Sequence, residues 1–182
     1  VGQERNRRQT PGLSEAVKAS VERTLRLLEE EIQRLQEQLE EHLKRHPELK
    51  QQRDLLTTIR GIGTTTANVL LAELSGCDFQ KARQVAAYAG LVPRERQSGS
   101  SVRGRARLSK QGQARLRKAL YWPAIVAMRH NPVLSAFAQR LREAGKPKMV
   151  IIAAVMRKLL HLAFGVLKHQ CPFDPNWAVC RP

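Results

Sequence analysis

Between Ala16 and Leu43 the chain has no Gly or Pro, and Leu25, Leu28, Ile32, Leu35 and Leu39 alternate spacings of three and four. That pattern predicts one long helix carrying the heptad seam of a coiled coil. Glu29-Glu30-Glu31, Arg34, Glu37 and Glu40-Glu41 fill the positions between as a solvated face. About two heptads are clean, which suits a parallel dimer and an antiparallel helical hairpin equally. Pro47 ends or kinks this helix.

Shorter helical patterns follow. One runs from Leu49 to about Thr58 and the next from Ala67 to Leu74, with Ile59-Arg60-Gly61-Ile62-Gly63 and three threonines between them. Helix, Gly-x-Gly, helix is the pattern of a helix-hairpin-helix element, in which tight backbone turning and a helix N-terminus hold a nucleic-acid phosphate. A plain helix–helix turn has the same pattern. Further helices are predicted over Lys81–Ala89, Gln113–Met128 with an interruption at Pro123 that suggests a kink or a fresh start after Trp122, Val133–Ala144, and Met149–Lys168. Arg157-Lys158 and His161 interrupt the last, which reads as a core helix and not a membrane span. Aliphatics are sparse from Arg94 to Arg107, which predicts a solvated loop or hairpin, with a faint strand alternation over Val102–Ala106.

Charge changes the picture. Residues 1–50 carry ten basic and ten acidic side chains, whereas residues 51–182 carry the other 22 basic residues and six acids, so the whole net charge of +16 sits on the second part. A neutral arm joined to a strongly basic domain points to nucleic acid. Nine of the cations (Arg94, Arg96, Arg103, Arg105, Arg107, Lys110, Arg115, Arg117 and Lys118) surround Ser98-Gly99-Ser100-Ser101, with Glu95 the one acid among them. Cys77, Cys171 and Cys180 form no C-x-x-C pair and predict neither a disulfide framework nor a zinc site. The chain begins with Val1 and a charged run, which suggests a piece of something longer.

A hydroxyl beside guanidinium groups is equipped to attack a phosphodiester. Ser98, Ser100, Ser101 and Ser109 are all candidates that residue chemistry alone does not rank, and composition alone favours a flexible linker. His130, His161 and His169 are candidate bases, with His161 placed on a core boundary. Trp122 and Tyr121 are expected in the core, with base stacking as the alternative, and Cys77 as a small buried hydrophobe. Asp54, Glu73, Asp78, Glu95, Glu143 and Asp174 are scattered, so residues 51–182 do not form the acidic cluster that two-metal chemistry requires.

Leu55-Leu56-Thr57-Thr58-Ile59-Arg60-Gly61-Ile62-Gly63 and Ala86-Ala87-Tyr88-Ala89-Gly90-Leu91-Val92-Pro93-Arg94 resemble segments of one transposase family, as do Ser98-Gly99-Ser100-Ser101-Val102-Arg103-Gly104, Ser109-Lys110-x-Gly112 and Leu116-Arg117-Lys118-Ala119-Leu120-Tyr121. The family is that of the bacterial insertion-sequence transposases related to the Piv DNA invertase, the "IS one-ten" or DEDD group. The similarity is to their C-terminal domain and reaches from the helical arm to Pro172-Phe173-Asp174. It implies a serine, matching Ser98, that attacks DNA and becomes joined to it. It also implies a separate RuvC-like domain with four acids and Mg2+, a structured bridge RNA as guide, and dimers or tetramers. No RuvC-like domain is expected within these residues, in keeping with their scattered acids, and alone they are expected to be inactive.

The combined expectation is a mainly α protein: a long helical coiled-coil arm over residues 1–48, then a compact helical domain over 49–182. That domain contains the helix-hairpin-helix element at about 51–76 and the basic serine loop at about 93–112. Ser98 is the expected catalytic residue; Gly61, Gly63, Arg94, Arg96, Arg103, Arg105, Arg107, Lys110, Arg115 and Arg117 are the expected nucleic-acid contacts. No metal ligand or cofactor is expected in this chain. The expected partners are DNA, bridge RNA and a second copy through the arm, with no membrane, at the nucleoid in a bacterial cytoplasm. The alternatives are a non-catalytic nucleic-acid-binding module using the same hairpin and basic loop, and a coiled-coil scaffold with incidental charge.

Overall fold

The Gly- and Pro-free stretch forms one helix, α2 (Glu15–Arg45), preceded by a short helix, α1 (Gly2–Arg8), that the apolar pattern does not announce. The computed structural model describes residues 1–98 and 102–176, with the backbone alone for 95–98 and 102–107. α1 packs on α2 through an ion pair, Arg5 Nη2 to Glu29 Oε1 at 2.6 Å, which holds the Glu29 carboxyl below the usual range. Val21 and Leu25 are buried on α2, whereas Leu28, Ile32, Leu35 and Leu39 stay 38–53% exposed. Lys18–Glu15, Arg34–Glu31 and Arg45–Glu41 pair along the helix surface, each contributing a few tenths of a kcal/mol. His46 ends α2, and Pro47 takes the first position of α3 (Pro47–Thr57), where its missing N–H is not needed.

The chain divides into two compact units, residues 1–50 and residues 51–182. In the second unit, α4 (Thr64–Leu74) and α5 (Ala82–Tyr88) lead to a two-stranded antiparallel ribbon, β1 (Pro93–Ser98) and β2 (Val102–Leu108). Four helices follow: α6 (Ala114–Ala119), α7 (Tyr121–His130), α8 (Pro132–Glu143) and α9 (Lys148–His169). α9 is central, packed by α5, α7 and α8, and it buries Ile152, Val155, Leu159, Leu160 and Ala163. Among the described residues it is the one helix long and apolar enough to cross a membrane, and part of its apolar side is packed against α5, α7 and α8.

Three local expectations are corrected. The helix expected over 113–128 breaks at Leu120 and starts afresh at Tyr121, two residues earlier than its proline suggests. Pro123 sits in the first turn of α7, where backbone N–H groups have no intrahelical acceptor, so it begins a helix without kinking one. Trp122 is 70% exposed and lies outside the core, while Tyr121 is partly buried against it. Cys77 is only half-buried.

Asn131 is a fully buried polar residue that sequence reasoning overlooked. Its Oδ1 accepts from the Val133 and Leu134 amides at 3.1 and 3.3 Å, capping α8, and its Nδ2 reaches the Arg60 carbonyl at 3.4 Å. The signal was available: Asn directly before Pro132 and an apolar run is an N-cap followed by proline at the first helical position.

Candidate functional site

The basic segment from Arg94 to Arg107 lacks the aliphatics to bury itself, yet it satisfies its backbone by pairing the two strands. The register sets Pro93 opposite Leu108, Arg94 opposite Arg107, Arg96 opposite Gly104, Gln97 opposite Arg103 and Ser98 opposite Val102. Between Arg94 and Arg96 the register shifts by one residue on β2, a bulge that increases local twist. Arg94, Arg96 and Ser98 occupy alternate positions of β1, with Ser98 its last residue. Of the expected phosphate contacts, the side chains of Arg96, Arg103, Arg105 and Arg107 lie outside the described residues, as does that of Ser98; Ser100 and Ser101 lie outside entirely.

The foot of the ribbon is tied to the end of α5. Ser109 N donates to Val92 O at 2.8 Å, Lys110 N to Gly90 O at 3.2 Å and Gln113 N to Tyr88 O at 2.7 Å. Ser109 Oγ accepts from Gln111 N at 3.2 Å, and Lys110 adopts a left-handed φ of 53°. Gly112 has φ +133°, and a Cβ there would stand 2.2 Å from the Tyr88 carbonyl oxygen. Gly90, with φ +67°, crosses the same turn less tightly, a Cβ there standing 2.8 Å from the Gln111 carbonyl oxygen and 3.1 Å from the Lys110 carbonyl carbon. The Ser-Lys-x-Gly motif is thus the turn by which β2 crosses the backbone of α5 and enters α6.

The remaining expected contacts divide by role. Arg94 and Lys110 are exposed. Arg115 is 77% exposed at its side chain and approaches Glu73 Oε1 at 3.6 Å, leaving most of its guanidinium in solvent. Arg117 is half-buried and its Nη1 donates to the Ala89 carbonyl at 2.9 Å, so it also braces the foot of the ribbon. Gly61 faces α7, where an added Cβ would meet Ala127 Cβ at 2.7 Å, so its small size serves helix packing. Gly63 is exposed, precedes the first turn of α4 and has open space beside it.

Among the described residues no three Asp, Glu, His or Cys side chains converge to hold a metal ion. His161, on α9, is half-buried, with its Nε2 buried and without a hydrogen-bond partner. Burial, then the charges of Arg157 and Lys158, push its pKa below the ordinary 6.5. The unfolded chain therefore takes up this proton at a higher pH than the folded one. The contribution of His161 to stability is complete above pH 6.5 and is lost as pH falls from 6.5 toward the folded pKa. Chemical denaturation is expected to show wild type losing more stability over that window than His161→Leu; parallel pH profiles for the two proteins would contradict it.

Residues 53–139, from α3 through most of α8, match the Transposase IS116/IS110/IS902 family. The chain is 38% identical over 172 residues to the pilin gene-inverting protein of Moraxella bovis, covering 93% of this chain and 53% of that protein. It is 28% identical over 158 residues to the insertion element IS110 uncharacterized 43.6 kDa protein of Streptomyces coelicolor, covering 86% of this chain and 38% of that protein. A probable family 20 transposase of Pseudomonas aeruginosa is 27% identical over 157 residues, 84% of this chain and 45% of its own length. The chain thus spans about half the length, or less, of these curated relatives. The helices and ribbon over residues 53–139 are therefore a transposase domain of the IS116/IS110/IS902 family.

Proposed function

We propose that this chain is the serine-bearing, nucleic-acid-binding part of a DNA transposase or site-specific recombinase. Supporting this is the position of Ser98 at the end of a basic ribbon, with Arg94 and Arg96 on alternate residues before it and Arg107 across from Arg94. In the step proposed, Ser98 Oγ bonds to phosphorus as it gives up its proton. The bond from that phosphorus to one deoxyribose oxygen breaks, and the departing oxygen takes a proton to become a hydroxyl. One phosphate ester replaces another, so a second DNA hydroxyl reverses the exchange and rejoins strands without an external energy source. The ribbon arginines stabilise charge developing on the non-bridging oxygens.

The exposed N-terminus of α4 at Gly63 and the exposed Arg94, Lys110 and Arg115 hold backbone phosphates nearby, of DNA or of a guide RNA. Gly61 supports that turn through its packing on α7. The described residues do not fit a divalent-metal site, and we assign Mg2+ to an acidic RuvC-like domain acting with this chain. Trapping the protein on DNA in the presence of that domain and mapping the modified peptide tests the reading: a phosphoserine linkage at position 98 is the expected product, and a linkage at any other side chain overturns it.

The half-exposed seam of Leu28, Ile32, Leu35 and Leu39 pairs with a second copy in this proposal. Ile32→Glu with Leu35→Glu is expected to convert a sedimenting dimer into a monomer while leaving helicity in place. A wild-type chain that is monomeric at tens of micromolar would rule out the pairing.

A further inference from the structure

A groove of about 1170 Å3 opens at the foot of the ribbon, between Pro93 and Leu108 on one side and the first turn of α7 and the N-terminal half of α9 on the other. Its walls are apolar and unusually open: Trp122 is 70% exposed, Met149 61% and Val150 50%. The Trp122 ring is braced by Tyr121, edge to face at 5.4 Å between centroids, and sits in the rigid first turn that Pro123 opens. Among the described residues, every charged one lining the groove is a cation: Lys110, Arg117, Lys118 and Arg157. Among the described residues no carboxylate lines it. The Arg117 guanidinium is partly engaged by the Ala89 carbonyl, whereas Lys110 and Lys118 are exposed.

An exposed indole inside a cationic rim selects an occupant that is flat and aromatic at one end and anionic at the other. An unpaired nucleotide has that chemistry: its base stacks on Trp122 while its flanking phosphates meet Lys118, Lys110 and Arg157. Distance links the groove to the proposed chemistry. β1 runs from Pro93, in the groove wall, to Ser98. At about 3.3 Å per residue this is roughly 17 Å, about five nucleotides of duplex rise. We infer that the groove captures a base of single-stranded DNA, unstacked a few nucleotides from the phosphate engaged at the ribbon end, with Trp122 as its stacking platform. The position along the strand rests on the Ser98 reading; the capture of unpaired DNA does not.

The test uses the whole chain with Trp177→Phe, so that Trp122 is the one remaining tryptophan. Single-stranded oligodeoxythymidine is expected to quench its fluorescence, and duplex DNA of the same length to quench it far less. In the wild-type background, Trp122→Ala is expected to weaken single-strand binding about tenfold, with duplex binding changed less than twofold and the salt slope unchanged. Trp122→Phe should restore most of the loss, because a ring remains. Lys118→Gln should instead lower the salt slope by about one. Because Trp122 is mostly exposed, these variants leave the core in place.

The inference would be overturned by equal loss on single strands and duplexes, by a larger loss on RNA of the same sequence, or by a change of oligomeric state in place of DNA binding. The last would assign the groove to a protein partner. Failure here is distinguishable from failure of the Ser98 reading, since these binding measurements require no covalent adduct. Normal single-strand binding by Trp122→Ala with a serine adduct intact would sink this inference alone.

Discussion

Ser98→Ala, placed in a protein that also carries the acidic RuvC-like domain, is expected to reduce the covalent protein–DNA adduct to background and DNA affinity by less than twofold. The expected asymmetry comes from what the side chain does. A serine hydroxyl adds at most one neutral hydrogen bond to a bound backbone, whereas affinity for nucleic acid comes mainly from cations meeting phosphates. Removing the nucleophile removes the bond to phosphorus itself, and no neighbouring positioning compensates for that. Ser98→Cys separates chemistry from placement, because a thiol keeps the size and site but changes the reacting atom. Arg94→Ala should show the opposite balance, weakening binding with a shallower salt dependence while leaving any residual adduct on position 98. If Ser98→Ala still forms the adduct, the ribbon is a phosphate-holding element and a different residue carries the chemistry. If Ser98→Ala loses binding and adduct together, the residue holds the ribbon end in shape.

The long periodic helices were legible because each writes its burial directly into spacing. The Leu25–Leu39 seam predicted α2, and the apolar stretch Met149–Lys168, interrupted by Arg157-Lys158 and His161, predicted α9 as a core helix. The ribbon was visible only as one of two options, since Arg94–Arg107 has just a faint alternation over Val102–Ala106 and its strands are held by backbone pairing and by their foot. The break at Leu120 was misplaced because proline was read as an interruption, whereas at the third position of a new helix it is tolerated. Trp122 was misread for a related reason: a large apolar residue in a helix is usually buried, and only tertiary packing shows that this one faces outward beside Lys118. In the candidate site, residue types were readable but their division of labour was not. Arg117 and Gly61 looked like phosphate contacts in the sequence, and each is engaged by protein: Arg117 by the Ala89 carbonyl, Gly61 by α7.

Gly112→Ala is expected to cost about 3 kcal/mol or more and to lower the melting temperature by roughly 10 °C. Two effects act at once. At φ +133° an alanine occupies backbone space that L side chains rarely adopt, and its Cβ would stand 2.2 Å from the Tyr88 carbonyl oxygen. That oxygen cannot move away freely, because it accepts from Gln113 N at 2.7 Å in the same crossing. Relief requires lifting the turn off α5, which breaks the bonds from Lys110 N to Gly90 O and from Ser109 N to Val92 O and releases the ribbon foot. The variant should therefore lose protection of those amides in hydrogen exchange before it loses that of α9, and DNA binding should fall with the ribbon's anchorage. Gly165→Ala is the matched control. It lies within α9 with open space around its missing Cβ, so the same change there should be neutral or stabilise by about 0.5–1 kcal/mol. Equal melting temperatures for Gly112→Ala and wild type would mean that the crossing relaxes cheaply, and that the Ser-Lys-x-Gly turn does not fix the ribbon on the domain.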